Sequence, residues 1–286
     1  MNNTRKPEQG NMDNLFQRLS EYIGTFDKTW IERIKPASPE SVALLKKQLC
    51  LKNSDWQLPV SFRIYLEKMG ADDGGLLYET LLASTDIDSM IWLCDIEQED
   101  EGWEDDETEG WEDDETEERE DDETEEREDD LSSSFTFFDK HMGGGYAFDL
   151  SGKNFDRVMY INDDAKFTHI FSENFEKLLF QCACAYCERK KPGLPFSYPQ
   201  YYIATGVAKA TAVIDKLGLE KAWFSDRNHT IWYGDNVCVD LQHDGGCGRV
   251  SGENARLVNE IADILEREAD ASIMGNTRRL EIKGDV

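Results

Sequence analysis

Cys182, Cys184 and Cys187 stand as C-x-C-x-x-C, the string in this 286-residue chain whose residue types come nearest to a metal site. A structural zinc ion needs four converging thiolates or imidazoles, usually presented as pairs on turns. Cys238, Cys247 and His243 supply the types to complete such a set from further along the chain. The string, however, falls in a segment of helical period where Cys182 belongs with the apolar stripe. The reading adopted is therefore small buried side chains, with no metal. A second constellation, Asp226, His229 and His243 with Ser225 or Ser251, has the types of a hydrolase triad. No Gly-x-Ser-x-Gly elbow presents a nucleophile, and four scattered histidines produce such a set by chance. His141 sits beside Gly143-Gly144-Gly145, but the Gly-Lys-Ser/Thr string of a phosphate loop is absent. The expectation is no catalytic residue and no cofactor, with an enzyme built on the C-terminal His and Cys residues kept as an alternative.

The elements that would carry these residues begin with an amphipathic helix. Leu15, Leu19, Tyr22, Ile23, Phe26, Trp30 and Ile34 recur at spacings of three and four, with a break predicted at Gly24. Ser38-Pro39 then opens a second helix with Val42, Leu45 and Leu49 inward, Ser38 being a good N-cap and Pro39 occupying the favoured first position. A third helix follows Leu58-Pro59 over Ser61 to Met69 and stops at Gly70. Leu76-Leu77-Tyr78 and Met90-Ile91-Trp92-Leu93 read as strand-like segments. Phe135 to Phe138, Tyr146 to Leu150 and Arg157 to Ile161 read as strands, the first two joined through the glycine run. Ser172 is predicted to cap a helix with Phe175, Leu178, Leu179, Cys182 and Tyr186 on one face. A Pro- and Tyr-rich linker over 191–202 leads to an α-β-β-α pattern, whose strands Thr230–Tyr233 and Val237–Leu241 are joined by Gly234-Asp235-Asn236.

Between the two halves of this pattern lies an acidic repeat. Gly102 to Glu109 is copied letter for letter from Gly110 to Glu117, then again with Glu-Arg for Gly-Trp, then in part. From Glu97 to Asp130 there are 24 acids against two Arg, a net of −22 out of the whole-chain −29, which leaves −7 for the rest. Calcium-loop spacing is absent, and like charges three and four residues apart disfavour a helix. A tract with so little apolar surface reads as a disordered, solvated insertion over 97–134. Trp103 and Trp111 are the residues in it suited to anchoring a partner. The charge argues against nonspecific nucleic-acid binding and favours a basic protein partner. No apolar run reaches bilayer length, and Met1 to Asp13 has no signal-peptide core, so no membrane and a cytoplasmic location are expected. Seven cysteines without framework spacing fit reduced thiols.

The order of these elements resembles the SUKH superfamily, which includes the fungal Smi/Knr cell-wall-synthesis regulators and many bacterial immunity proteins. The resemblance rests on Ala37-Ser38-Pro39-Glu40 opening a helix and on Leu58-Pro59-Val60-Ser61-Phe62-Arg63-Ile64-Tyr65-Leu66. It continues through Gly144 to Leu150, Val158 to Asp164 and Ser172 to Leu179, over roughly Ile34 to Arg189. Two departures are Met69-Gly70-Ala71 where the family has Asn-Gly-Gly, and the acidic repeat itself.

The resemblance implies a SUKH-like domain of helices and antiparallel sheet (36–190) and has no counterpart for the C-terminal unit. With the residue pattern it gives an α+β fold that adds an N-terminal helix (1–35), the linker, a small α+β unit (203–274) and a frayed tail (275–286). It also implies a binding protein, either an immunity protein that occludes a basic toxin or a regulatory scaffold like the fungal members. Loop position singles out His141, Tyr146, Asp163 and Asp164, with Trp103 and Trp111, as residues for protein contact.

Overall fold

The structure, a computed structural model, describes residues 14–52, 56–100, 134–140, 144–149, 156–162, 167–234, 236–274 and 280–281. Residues 101–133, with the acidic repeat, therefore lie outside the described residues, as does most of the tail. The first and last residues of the expected disordered insertion are instead ordered, 97–100 at the end of a helix and Ser134 at the start of a strand. The fold is α+β, with two antiparallel sheets.

The first helix, α1 (Leu15–Gly24), buries Leu15, Leu19, Tyr22 and Ile23, and the chain turns at the predicted glycine into the short α2 (Trp30–Arg33). In α3 (Pro39–Lys52) the Ser41 amide donates to Ser38 Oγ at 3.0 Å, the capping bond expected of Ser-Pro at a helix start. α4 (Val60–Met69) turns Phe62, Tyr65, Leu66 and Met69 inward, as its period predicts.

The next two segments depart from the strand reading. Leu76 and Leu77 form a turn leading into α5 (Tyr78–Leu81), because the buried Asp73 carboxylate accepts from the amides of Gly75 and Leu77, both at 2.9 Å. That local side-chain bonding outcompetes a ladder. After the two-residue β1 (Ala83–Ser84), Met90 to Leu93 belong to α6 (Ile87–Asp100), with Ile87, Met90 and Cys94 buried at helical spacing. The overlooked signal is Asp86, whose carboxylate accepts from the Ser89 amide at 2.9 Å and caps the helix.

β2 (Ser134–Lys140), β3 (Gly145–Asp149), β4 (Val158–Ile161) and β5 (Phe167–Ser172) continue from β1 in plain sequence order as the first sheet. A register shift between Thr136 and Phe138 lets neighbouring Phe137 and Phe138 both be buried, as a β-bulge permits. The core between this sheet and α4 is aromatic: Phe137 stacks on Phe148 at 4.2 Å, and Phe62 meets Phe175 edge-on at 5.0 Å.

α7 (Phe175–Glu188) is the pivot of the molecule. Its cap is Asn174, whose side chain accepts from the Lys177 amide at 2.8 Å. Ser172, the residue expected to cap it, ends β5 instead. From Leu178 to Glu188 every residue is buried, so the helix is covered all round and not along one stripe.

Its other side is covered by a second sheet. The stretch read as a linker contains β6 (Gly193–Ser197), with Leu194 and Phe196 buried, and then a 3-10 turn (Gln200–Tyr202) into α8 (Ile203–Ile214). There follow β7 (Glu220–Lys221), β8 (His229–Gly234), β9 (Val237–Gln242), β10 (Cys247–Gly252), α9 (Ala255–Ala269) and β11 (Ser272–Ile273). The sheet order is β11-β6-β10-β9-β8-β7, six strands where the sequence suggested two. β10 was missed because Gly248 has low strand propensity. Here it is required: a Cβ would lie 2.3 Å from the Asp240 carbonyl oxygen and 2.4 Å from the Phe196 ring. One face of this sheet packs on α8 and α9 through Trp232, Val239, Leu241 and Val250, and the other joins the core around α7 through Ile231 and Cys238.

Candidate functional site

The seam between α7 and the second sheet holds most of the residues whose types suggested chemistry. Asp226 lies in the segment between β7 and β8 and is only 6% exposed. Its Oδ2 accepts from Ser172 Oγ (3.1 Å), the Glu173 amide (3.2 Å) and Gln181 Nε2 (3.0 Å), and its Oδ1 from the amides of Asn228 (3.0 Å) and His229 (2.9 Å). A carboxylate accepting five bonds has no lone pair left for catalysis. It ties the end of β5 and α7 to the second sheet. Ser225 Oγ is turned to the backbone of Ile231, and Ser251 Oγ donates to Glu188 at 2.9 Å, so neither serine faces a histidine.

Each described histidine has its own acceptor or ion-pair partner. His229 Nε2 is hydrogen-bonded to Asp240; burial opposes the charged imidazole, but the Asp240 carboxylate outweighs it and the net pKa is raised. His243 Nε2 lies 3.0 Å from Thr230 Oγ1 and is held below its ordinary pKa by burial and by the charge on His229. His169, on β5, pairs with Asp244 of the second sheet at 3.1 Å, which depresses the Asp244 carboxyl. The suspected triad is thus divided among structural pairs.

The cysteine string is divided too. Cys182 is buried, with the Asp73 carboxylate among the charges that act on it, whereas Cys184 Sγ lies 3.8 Å from Cys238 Sγ. Tyr233 Oη donates to Cys184 Sγ (2.9 Å) and shares a 2.7 Å hydrogen bond with Tyr22 Oη of α1. Burial pushes the Cys182, Cys187 and Cys238 thiols up, away from the reactive thiolate. Among the described residues no group of three His, Cys, Asp or Glu is placed to hold a metal ion.

The strand ends that carry the loops favoured for protein contact come together at one end of the first sheet. The register aligns Asp139, Gly145, Ile161 and Phe167 in one row across β2 to β5. The β2–β3 and β4–β5 connections therefore emerge side by side, and Gly144 (φ +73°) approaches the Ile161 carbonyl too closely for any Cβ. Tyr146 does not belong to this surface: it is 3% exposed and packs on Phe171 (4.7 Å) and Tyr160 (5.8 Å). Strand alternation beginning at Gly145 turns it inward. His141, Asp163 and Asp164 lie outside the described residues, as do Trp103 and Trp111. The repeat rejoins the fold at Ser134, which pairs with Asp149 at the opposite end of the sheet, about 20 Å away along β2.

Sequence reading missed three polar residues that the structure makes prominent: Asp156, Asp240 and Arg249. Asp156 accepts from Ser61 Oγ of α4 (2.9 Å) and lies 3.4 Å from the Phe175 amide of α7, while burial raises its carboxyl to about 6. For Asp240 and Arg249 the only available signal was strand alternation, and β10 had not been recognised. No helix among the described residues is long and apolar enough to cross a membrane.

Compared with family models, with curated proteins and with solved structures, the chain matches none.

Proposed function

We propose that this chain is a non-enzymatic binding protein of the SUKH type, an immunity protein that neutralises a cognate toxin in the cytosol by covering its surface. The observation that carries the reading is the convergence of the β2–β3 and β4–β5 connections at one sheet end. The sequence there reads Asn162-Asp163-Asp164, whose two carboxylates suit a basic toxin. The seam residues support the same reading, because Asp226, Ser251 and the Cys184 and Cys238 thiols are committed to contacts between α7 and the second sheet, and Ser225 to the Ile231 backbone. The mechanism is steric and electrostatic occlusion, with the −29 net charge accelerating capture.

The test is calorimetry of the purified chain against the toxin domain encoded beside its gene. Asp163→Lys with Asp164→Lys is expected to weaken binding by about 100-fold through the dissociation rate. Shortening the repeat is expected to slow association by about tenfold at low salt, an effect that fades as salt rises. Absence of binding to the neighbouring toxin sinks the immunity reading. Unchanged affinity in the double variant moves the contact surface elsewhere.

A further inference from the structure

The α7 side of the second sheet is not wholly covered. Beyond Glu188, where α7 ends, a cleft of about 250 Å³ opens over β6, β9 and β10. Charged side chains line it, and their pairing is uneven. Glu188 is matched by Lys191 Nζ at 2.8 Å and by Ser251 Oγ. Asp240 stands directly across the ladder from Arg249, yet its carboxylate is hydrogen-bonded to His229 on the far strand. Among the described residues no carboxylate lies within ion-pair distance of Arg249, although the charges of Glu188 and Asp240 act on it. Its Nη2 donates to the Lys191 carbonyl at 3.1 Å, and its buried Nε has no acceptor.

The guanidinium is nevertheless held in a fitted seat. It lies against Gly193, where a Cβ would come 2.7 Å from Nε and 2.9 Å from Cζ, so any larger residue there would displace it. The half-buried guanidinium is desolvated, which lowers its proton affinity, and the charges of Glu188 and Asp240, each hydrogen-bonded elsewhere, offset this only in part. A fork of donors matches a carboxylate better than any other common group. The remaining walls include Ala185, Pro195 and Met274, which are apolar. The volume is at the small end of ligand sites.

We propose that this cleft binds a small organic carboxylate, its oxygens accepting from Arg249 and its apolar body lying against Ala185, Pro195 and Met274. The proposal is independent of the toxin-binding reading and concerns the opposite half of the molecule.

The experiment uses the full chain with hexanoate and benzoate as probes and their neutral amides as controls, followed by ligand-observed NMR. The carboxylates are expected to bind at least tenfold more tightly than the amides. Arg249→Gln is expected to abolish that preference, Arg249→Lys to reduce it, and Arg256→Gln on exposed α9 to leave it intact.

A second readout needs no substitution. Cys247, half-buried on the cleft wall, should be alkylated more slowly when carboxylate is present, while exposed Cys50 reacts at an unchanged rate. Equal binding of acids and amides, an undiminished preference in folded Arg249→Gln, or no selective protection of Cys247 each overturns the proposal. If Arg249→Gln does not fold, the alkylation result on the unaltered chain decides.

Discussion

Each sheet sends one strand into a helix through the same kind of turn, and the two helices are put to different use. In the first sheet β5 runs through Ser172-Glu173-Asn174 into α7; in the second β10 runs through Gly252-Glu253-Asn254 into α9, before β11 rejoins the sheet. In both, the Asn side chain accepts from the amide three residues on, Lys177 in one case and Leu257 in the other. Beyond the caps the helices diverge. α9 buries Val258, Ile261, Ala262 and Leu265 and exposes Arg256, Glu260 and Arg267. α7 has sheet or helix on every side, and its polar residues meet partners from the other half: Gln181 reaches Asp226, and Glu188 reaches Ser251. An identical start thus gives a surface helix or an internal wedge, according to whether a second layer arrives. What differs is the number of long-range polar bonds at the junction.

That difference predicts its largest effect at Asp226. Replacing it with Ala removes the acceptor of five donors, from Ser172, Glu173, Gln181, Asn228 and His229, of which those from Ser172 and Gln181 are fully buried and the others partly so. The expected destabilisation is about 4 kcal/mol or more, measured by urea unfolding, because buried unsatisfied groups cost about 1–3 kcal/mol each and share one site here. The β10–α9 junction has no matching hub: Glu253 donates from its backbone to the Asn236 carbonyl at 3.2 Å, and the Asn254 side chain bonds one amide. A loss below about 1 kcal/mol on Asp226→Ala would mean that the junctions are energetically alike.

An intermediate effect belongs to Asp156, which also serves only the α7 side. Burial raises its folded carboxyl to about 6, above the roughly 3.9 of an unfolded Asp. The folded state therefore holds the proton more tightly. The resulting stability is fully present below about pH 4 and is lost as pH rises through about 6, amounting to about 2–3 kcal/mol. Asp156→Asn keeps an acceptor for Ser61 Oγ and the Phe175 amide without the charge. Relative to the unaltered chain, its melting temperature is expected to gain between pH 4.5 and 7 and then level off. A difference that stays flat across this range would show that Asp156 is not desolvated. His229 contributes with the same sign at higher pH, its raised pKa giving stability that is present below about 6.5 and lost above it.

Much of this architecture was legible locally. The stripes of α1, α3 and α4, the Ser38 cap and the hairpin around Asn236 (φ +62°) need only neighbours in sequence. Met90 to Leu93 failed because a short apolar run suits a strand or a buried helix equally, and the deciding residue, Asp86, stands outside the run. β6 failed because Pro195 and the following Tyr residues imitate a linker, although Leu194 and Phe196 alternate correctly. Asp226 draws notice in the sequence only for its residue type, in a triad set aside as chance, and its structural role does not show there. Three of its five donors lie 45 to 54 residues earlier in the chain, and no local pattern records those. The arginine cleft depended on β10, whose Gly248 conceals a strand until Phe196 is seen to lie across it.

The smallest effect makes the sharpest comparison, because the same substitution can be placed at both junctions. Asn254→Ala removes the Leu257 amide's acceptor at the solvent-facing start of α9, where water can replace it, and should cost about 1 kcal/mol. Asn174→Ala removes the equivalent bond from the Lys177 amide, but that junction retains Asp156 near the Phe175 amide, Asp226 on the Glu173 amide and Lys177 Nζ on the Ser225 carbonyl at 3.0 Å. If these cross-sheet bonds fix the start of α7 independently of its cap, the helix cannot fray to compensate, and the lost bond is felt in full. Asn174→Ala is then expected to cost about 0.5–1 kcal/mol more than Asn254→Ala. Hydrogen exchange separates the cases beyond the energies: the first-turn amides of α9 should exchange faster after Asn254→Ala, while those of α7 should keep their protection after Asn174→Ala until global unfolding. Local fraying at both helices would mean that the hub at Asp226 positions the sheets without gripping the helix between them.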